Sequence, residues 1–169
     1  MLTFGSDQSI FNPSGNAPQN GFRRSELMPA GNEGTDDFTT GVVNLHFSLR
    51  TNPEKTLNTS HAYELIFLET ADYSGHIFTF TSGTPRDGRQ VQYPNGFRLQ
   101  SSNRGSSQIL HEVELADDVW HNFALQLDFN SNRLSAWYSQ DDEKLEKVVD
   151  NVYNDNSGRG QCKLGLPSR

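Results

Sequence analysis

The sequence has little apolar material. Hydrophobic residues fill 33% of its 169 positions and the mean hydropathy is −0.70. A membrane-spanning helix needs about 20 consecutive apolar residues, and no such run exists. Cysteine is nearly absent. Cys162 stands alone, so it has no intrachain disulfide partner. A small buried thiol is its expected state, with pairing to a cysteine outside this segment as the alternative. Basic residues are few: 14 Lys and Arg against 21 Asp and Glu give a net charge of −7 and a pI near 5.1. Nucleic acid and anionic membrane surfaces are recognised through clustered Lys and Arg, so both are excluded as expected partners. A neutral ligand fits the balance better. The opening residues MLTFGSDQSIF lack the basic start and apolar run of a signal peptide. No His-x-x-x-His or Cys-x-x-Cys spacing occurs, and the five histidines at 46, 61, 76, 111 and 121 are scattered. No metal and no cofactor is therefore expected. No glycine-rich phosphate loop precedes a helix, and Ser74-Gly75-His76 does not resemble a nucleophile elbow. Helical periodicity is missing over any three turns; Asp141–Val149, short and charged, is the best helical candidate.

What is present is period-two alternation. Val43, Leu45, Phe47 and Leu49 alternate with Asn44, His46, Ser48 and Arg50. Phe123, Leu125, Leu127 and Phe129 alternate with Asn122, Ala124, Gln126 and Asp128. Both patterns predict half-buried strands. Asn130-Ser131-Asn132 reads as a hairpin turn into a strand at Arg133–Ser139. His76–Thr81, Phe97–Gln100 and Gln108–Glu114 read as further strands, separated by turn signals such as Gly83-Thr84-Pro85 and Pro94-Asn95-Gly96. Aromatic residues at 11%, including 11 Phe, are too many for a disordered chain. The pattern predicts one all-β domain over residues 1–169, a β-sandwich or jelly roll of antiparallel sheets.

Two segments carry polar groups that a simple sandwich does not need. In Gly21-Phe22-Arg23-Arg24-Ser25-Glu26-Leu27, an extended backbone puts Phe22, Arg24 and Glu26 on one face. Arg24 can orient the Glu26 carboxylate, although a plain surface ion pair has the same signature and is worth little. In His61–Glu69, strict alternation puts His61, Tyr63, Leu65, Phe67 and Glu69 on one face and Ala62, Glu64, Ile66 and Leu68 on the other. The Leu65–Leu68 run marks a central strand. A bent sheet can set Glu26 and Glu69 across a groove, with His61 and Tyr63 on its wall. Paired carboxylates are what glycoside hydrolysis requires, one as acid and one as base or nucleophile. Tyr73, Tyr93 and Trp137 are candidate sugar platforms, and Trp120 is expected in the core.

These residues also carry a resemblance. Phe11-Asn12-Pro13-Ser14, the Gly21–Leu27 segment, Leu57–Glu69 followed by Ala71-Asp72-Tyr73-Ser74, and Val119-Trp120-His121-Asn122-Phe123 together resemble glycoside hydrolase family 131, in order from about Phe11 to Gly165. The resemblance implies a fungal, secreted β-glucanase on a jelly roll with a concave cleft, acting without a metal and with inversion. The substrate implied is a β-glucan with β-1,3, β-1,6 or β-1,4 links, and a monomer is expected. It implies Glu26, Glu69 and His61 as catalytic residues; the strand faces and the aromatic platforms add Arg24, Tyr63 and Tyr73 as expected substrate-binding residues. Arg24 beside Glu26 leans the acid role toward Glu69. The family's domains extend further at both ends, so a partial domain is expected. Asn58-Thr59-Ser60 is an N-glycosylation sequon, which suits secretion. Two other readings stay open: a polysaccharide lyase using His61 and Tyr63, and a carbohydrate-binding domain without activity.

Overall fold

A computed structural model of the chain describes Ile10, Asn12 and residues 15–23, 25–29, 37–103 and 106–165. Ten strands appear among these residues: β1 (Glu26–Leu27), β2 (Val42–Leu49), β3 (Ala62–Glu69), β4 (His76–Gly83), β5 (Phe97–Asn103), β6 (Ser106–Val113), β7 (His121–Asp128), β8 (Arg133–Gln140), β9 (Glu146–Tyr153) and β10 (Cys162–Gly165). One 3-10 turn, Asp37–Thr39, precedes β2. All pairings are antiparallel. The strands form two sheets, a six-stranded one ordered β1-β10-β3-β4-β5-β6 and a four-stranded one ordered β2-β7-β8-β9. No helix of the described residues is long and apolar enough to cross a membrane.

The alternating strands behave as their sequences predict. Along β2, Val43, Leu45, Phe47 and Leu49 are half-buried while Val42, Asn44, His46 and Ser48 are exposed. Phe123, Leu125 and Leu127 of β7 enter the core from the same sheet. They meet Ile66, Leu68, Phe78, Phe80, Phe97 and Leu99 of the facing sheet. Phe80 joins the layers. Its ring lies 5.3 Å from Phe47, 4.5 Å from Phe123 and 5.6 Å from Phe97. Burying each such side chain contributes about 1.5–3 kcal/mol relative to leaving it in water.

Three expectations change. Asp141–Val149 is no helix: a turn at Asp141–Glu143 leads into β9. A nine-residue charged helix has little stability of its own, whereas the ladder to β8 satisfies the backbone from Glu146 onward. Trp120 is half-buried outside the core, with the Arg50 guanidinium 5.0 Å over its ring. Its neighbour His121 is the fully buried residue, and the Nδ1 atom lies 2.8 Å from the Tyr138 hydroxyl. In the Gly21–Leu27 segment only Glu26 and Leu27 form strand β1, against Gly165 and Leu164.

The fourth change governs the site. Strand β3 is central, between β10 and β4, but its alternation is broken. Glu64 pairs with Thr81 and Ile66 with Phe80, so Leu65 is the extra residue of a β-bulge. A one-residue insertion exchanges the faces on its two sides. Tyr63, Leu65, Ile66 and Leu68 all join the core cluster. Phe67 and Glu69 point the other way, and Ala62 and Glu64 share their outer face.

Candidate active site

The outer face of the six-stranded sheet gathers the carboxylates. Glu69 ends β3, and its backbone N–H donates to the Gln161 carbonyl at 2.9 Å. Glu26 lies on β1 opposite Gly165. Strand β10 runs between them and brings Lys163 opposite Phe67. The Lys163 ammonium donates to a Glu69 carboxylate oxygen and lies 4.0 Å from a Glu26 oxygen. Its side chain is only 6% exposed, against 15% for Glu26 and 16% for Glu69. Burial of a cation requires compensating charge, and here two carboxylates supply it. The ammonium also lies 5.8 Å from the Phe67 ring centre and 5.9 Å from that of Tyr73.

The segment before β10 is fixed from beneath. Asn154 and Asn156 are fully buried. The Asn154 amide donates to the Ile77 carbonyl at 2.9 Å, and that of Asn156 donates to the Asp128 and Arg133 carbonyls at 2.9 and 3.0 Å. Gly160 then passes so close to Glu69 that a Cβ there would sit 1.6 Å from its carbonyl oxygen. Only glycine allows this approach. The loop thus delivers Lys163 to the Glu69 end of β3.

Tyr73 is presented to the same place. Its ring is 69% exposed, and its backbone has a positive φ of 58°, unusual for a bulky residue. Asp72 holds the turn. One carboxylate oxygen accepts from the Thr70 hydroxyl at 2.7 Å, the Ser74 hydroxyl at 2.7 Å and the Ser74 N–H at 3.1 Å. These hydrogen bonds, the Ser74 hydroxyl's foremost, lower the Asp72 pKa to about 2.

Beyond Glu69 the outer face opens into a cleft of about 430 Å³ whose lining includes Glu64, His76, Thr79, Thr81, Arg86 and Gln100. That is within the usual size range of ligand pockets. The Arg86 guanidinium lies 3.7 Å from Glu64. Arg98, 1% exposed, anchors the cleft wall by donating to the Gly83 and Tyr93 carbonyls.

The residues expected from sequence do not all meet here. Glu26, Glu69 and Tyr73 do. His61 does not: it is exposed at the opposite end of β3 from Glu69, eight positions away, or roughly 25 Å at strand rise. The histidine beside Glu69 is His76, its cross-strand partner, whose ring packs on Phe67 at 4.9 Å. Tyr63, expected on the groove wall, is 6% exposed and packs against the core, yet it also contributes to the lining of the cleft, at the end of β3 away from Glu69. Arg24 lies outside the described residues. Lys163, His76 and Glu64 were missed. Only the cross-strand register and the bulge identify them, and no local pattern carries either. Trp137 sits on the far sheet under Lys147, whose Nζ is 5.3 Å from the ring centre, away from this face. Tyr93 serves the cleft wall through its carbonyl. Cys162 is buried in the core, and burial pushes its thiol up to about 11. Among the described residues no group of three or more His, Cys, Asp or Glu could hold a metal ion.

Over residues 5–168 the chain matches the glycoside hydrolase 131 catalytic N-terminal domain. It belongs to glycoside hydrolase family 131. Solved structures of that family share the jelly-roll fold of this family 131 domain. A β-glucanase catalytic domain from Podospora anserina superposes with a TM-score of 0.73 at 23% identity, covering 96% of this chain and 60% of that one. A family 131 catalytic domain from Coprinopsis cinerea gives 0.66 at 19% identity, covering 87% and 55%. The chain therefore spans less than two thirds of the length of these relatives. Among curated proteins none matches it.

Proposed function

We propose that this family 131 domain hydrolyses β-glucan, with Glu26 and Glu69 as its acid and base pair. One observation carries the reading: two carboxylates 43 positions apart in sequence meet on one face, both within 4.0 Å of a single buried ammonium. Their strands are separated by β10 alone, and the two side chains converge on the Lys163 ammonium that this middle strand carries. The course proposed is inverting, with a water activated by one carboxylate while the other protonates the leaving oxygen. In the proposed mechanism one carboxylic acid protonates the glucosidic oxygen, and the other removes a proton from the attacking water. Lys163 donates to Glu69 directly and stands farther from Glu26, so Glu69 is the more firmly held of the two. This reverses the lean from sequence and assigns Glu69 as base and Glu26 as acid. Tyr73 offers a ring for a sugar to stack on, and the polar cleft along Thr79, Thr81 and Gln100 accommodates further glucosyl units. The mechanism uses no metal. The β-1,3, β-1,6 and β-1,4 links are all candidate targets.

The domain is proposed to act outside the cell as a monomer. Its sequon suits that setting: Asn58 is exposed, in a turn where its side-chain oxygen accepts from the Ser60 hydroxyl at 2.8 Å. The test is reducing-sugar release from β-1,3 and β-1,4 glucans by the chain and its Glu26→Gln and Glu69→Gln variants. Release that each substitution lowers at least about a hundredfold supports the reading. Release untouched by both substitutions would remove the pair from the chemistry.

A further inference from the structure

The geometry points to Lys163 as a positioning residue for the carboxylate pair, a role that rests on the hydrolase reading above. Three observations carry it. First, the side chain is buried on the outer face rather than in the apolar core, 6% exposed, where a lysine normally reaches for water. Second, its ammonium contacts Glu69 directly and Glu26 at 4.0 Å, so one cation answers two anions. Third, its strand is held from both sides, paired with β1 on one edge and β3 on the other. The cation cannot drift without unzipping a ladder.

The physical consequence is specific. Two carboxylates on neighbouring positions of a poorly solvated face repel one another, and each would turn to solvent if it could. An ammonium between them removes the repulsion and gives each oxygen a fixed place. Phe67 beneath and Tyr73 beside the ammonium keep water from competing for it. Lys163 thereby sets the spacing on which acid and base cooperation depends, without itself touching the reacting atoms. A methionine at this position matches the stem and lacks the charge. An arginine retains the charge with a longer reach.

The experiment compares the chain with Lys163→Met and Lys163→Arg in hydrolysis of a β-1,3-linked glucan oligosaccharide. Lys163→Met is expected to lower kcat at least about a hundredfold while KM stays within about threefold, and Lys163→Arg to recover at least about tenfold of the loss. A kcat within threefold of the parent in Lys163→Met overturns the inference. A structural lysine alone would not split kcat from KM in this way. Thermal unfolding of Lys163→Met, Glu69→Gln and the double variant gives a readout independent of turnover. Lys163→Met should lower Tm by at least about 5 °C, and adding Glu69→Gln should return at least half of that shift. Strictly additive shifts overturn the inference. If the parent chain releases no sugar, the hydrolase reading fails, and the Tm cycle still decides whether Lys163 holds the pair.

Discussion

Gly165→Ala is a small change with a sharp expected effect. Gly165 pairs with Glu26, and a Cβ built on it lies 2.2 Å from the Ser25 carbonyl oxygen, 2.6 Å from the Glu26 Cα and 2.7 Å from the Glu26 Cβ. All three are backbone or backbone-proximal atoms, so no flexible side-chain end can yield instead. Ordinary contacts begin near 3.4 Å, so the two strands must part by about 1 Å. Strand β1 has two residues and sits at the sheet edge, so it is the part that moves, and Glu26 moves with it. Overpacking of this kind costs about 1–3 kcal/mol, which lowers Tm by roughly 2–12 °C in a chain of this size. The core between the sheets stays intact. The catalytic effect should be larger, because a displacement of about 1 Å at a reacting group costs on the order of a hundredfold. The assay is glucan hydrolysis beside a thermal melt on the same preparation. A folded Gly165→Ala protein with kcat within threefold of the parent would refute the placement of Glu26 in the site.

Phe80→Ala should remove about 3–5 kcal/mol of stability, because the ring is 1% exposed and packs on Phe47, Phe97 and Phe123; a urea titration reads this as a lower midpoint at unchanged slope. Stability should also fall with acid. Burial lowers the pKa values of His111 and His121 from 6.5, so below that pH the unfolded chain takes up protons that the folded chain refuses. The contribution is complete above pH 6.5 and is lost as pH falls, by up to about 1.4 kcal/mol per ring per pH unit, until the folded rings also protonate. Urea midpoints between pH 7.5 and 5 check this, and replacing His121 with Gln should flatten the profile. Asn58 should carry an N-glycan when the chain is secreted from a eukaryotic host; a glycosidase-sensitive mass that Asn58→Gln abolishes is the expected result.

The sandwich was legible because β2 and β7 alternate in sequence, and alternation reports a face without needing to know the partner. Strand β3 reads as central for the same kind of reason, its apolar Leu65–Leu68 run. Its faces do not read correctly, since a bulge changes phase without changing composition; this sets Tyr63 against the core and puts Glu64 on the outer face with Glu69. The candidate pair, Glu26 and Glu69, follows from the strand pattern and the family resemblance. What joins the two does not. Lys163 reaches them because β10 inserts between β1 and β3, 94 positions after Glu69 in sequence. His76 replaces His61 beside Glu69 for a similar reason, since antiparallel pairing brings the start of β4 to the end of β3. The helical candidate at Asp141–Val149, which forms no helix, is the converse case, a locally charged segment whose conformation is set by its neighbour β8.

The proposed inverting hydrolysis by Glu26 and Glu69 is read out by proton NMR of the anomer first released from a β-1,3-linked glucan oligosaccharide. The α-anomer should appear first with the parent chain, and Glu26→Gln and Glu69→Gln should each suppress it. The β-anomer appearing first, or release that survives both substitutions, would contradict it.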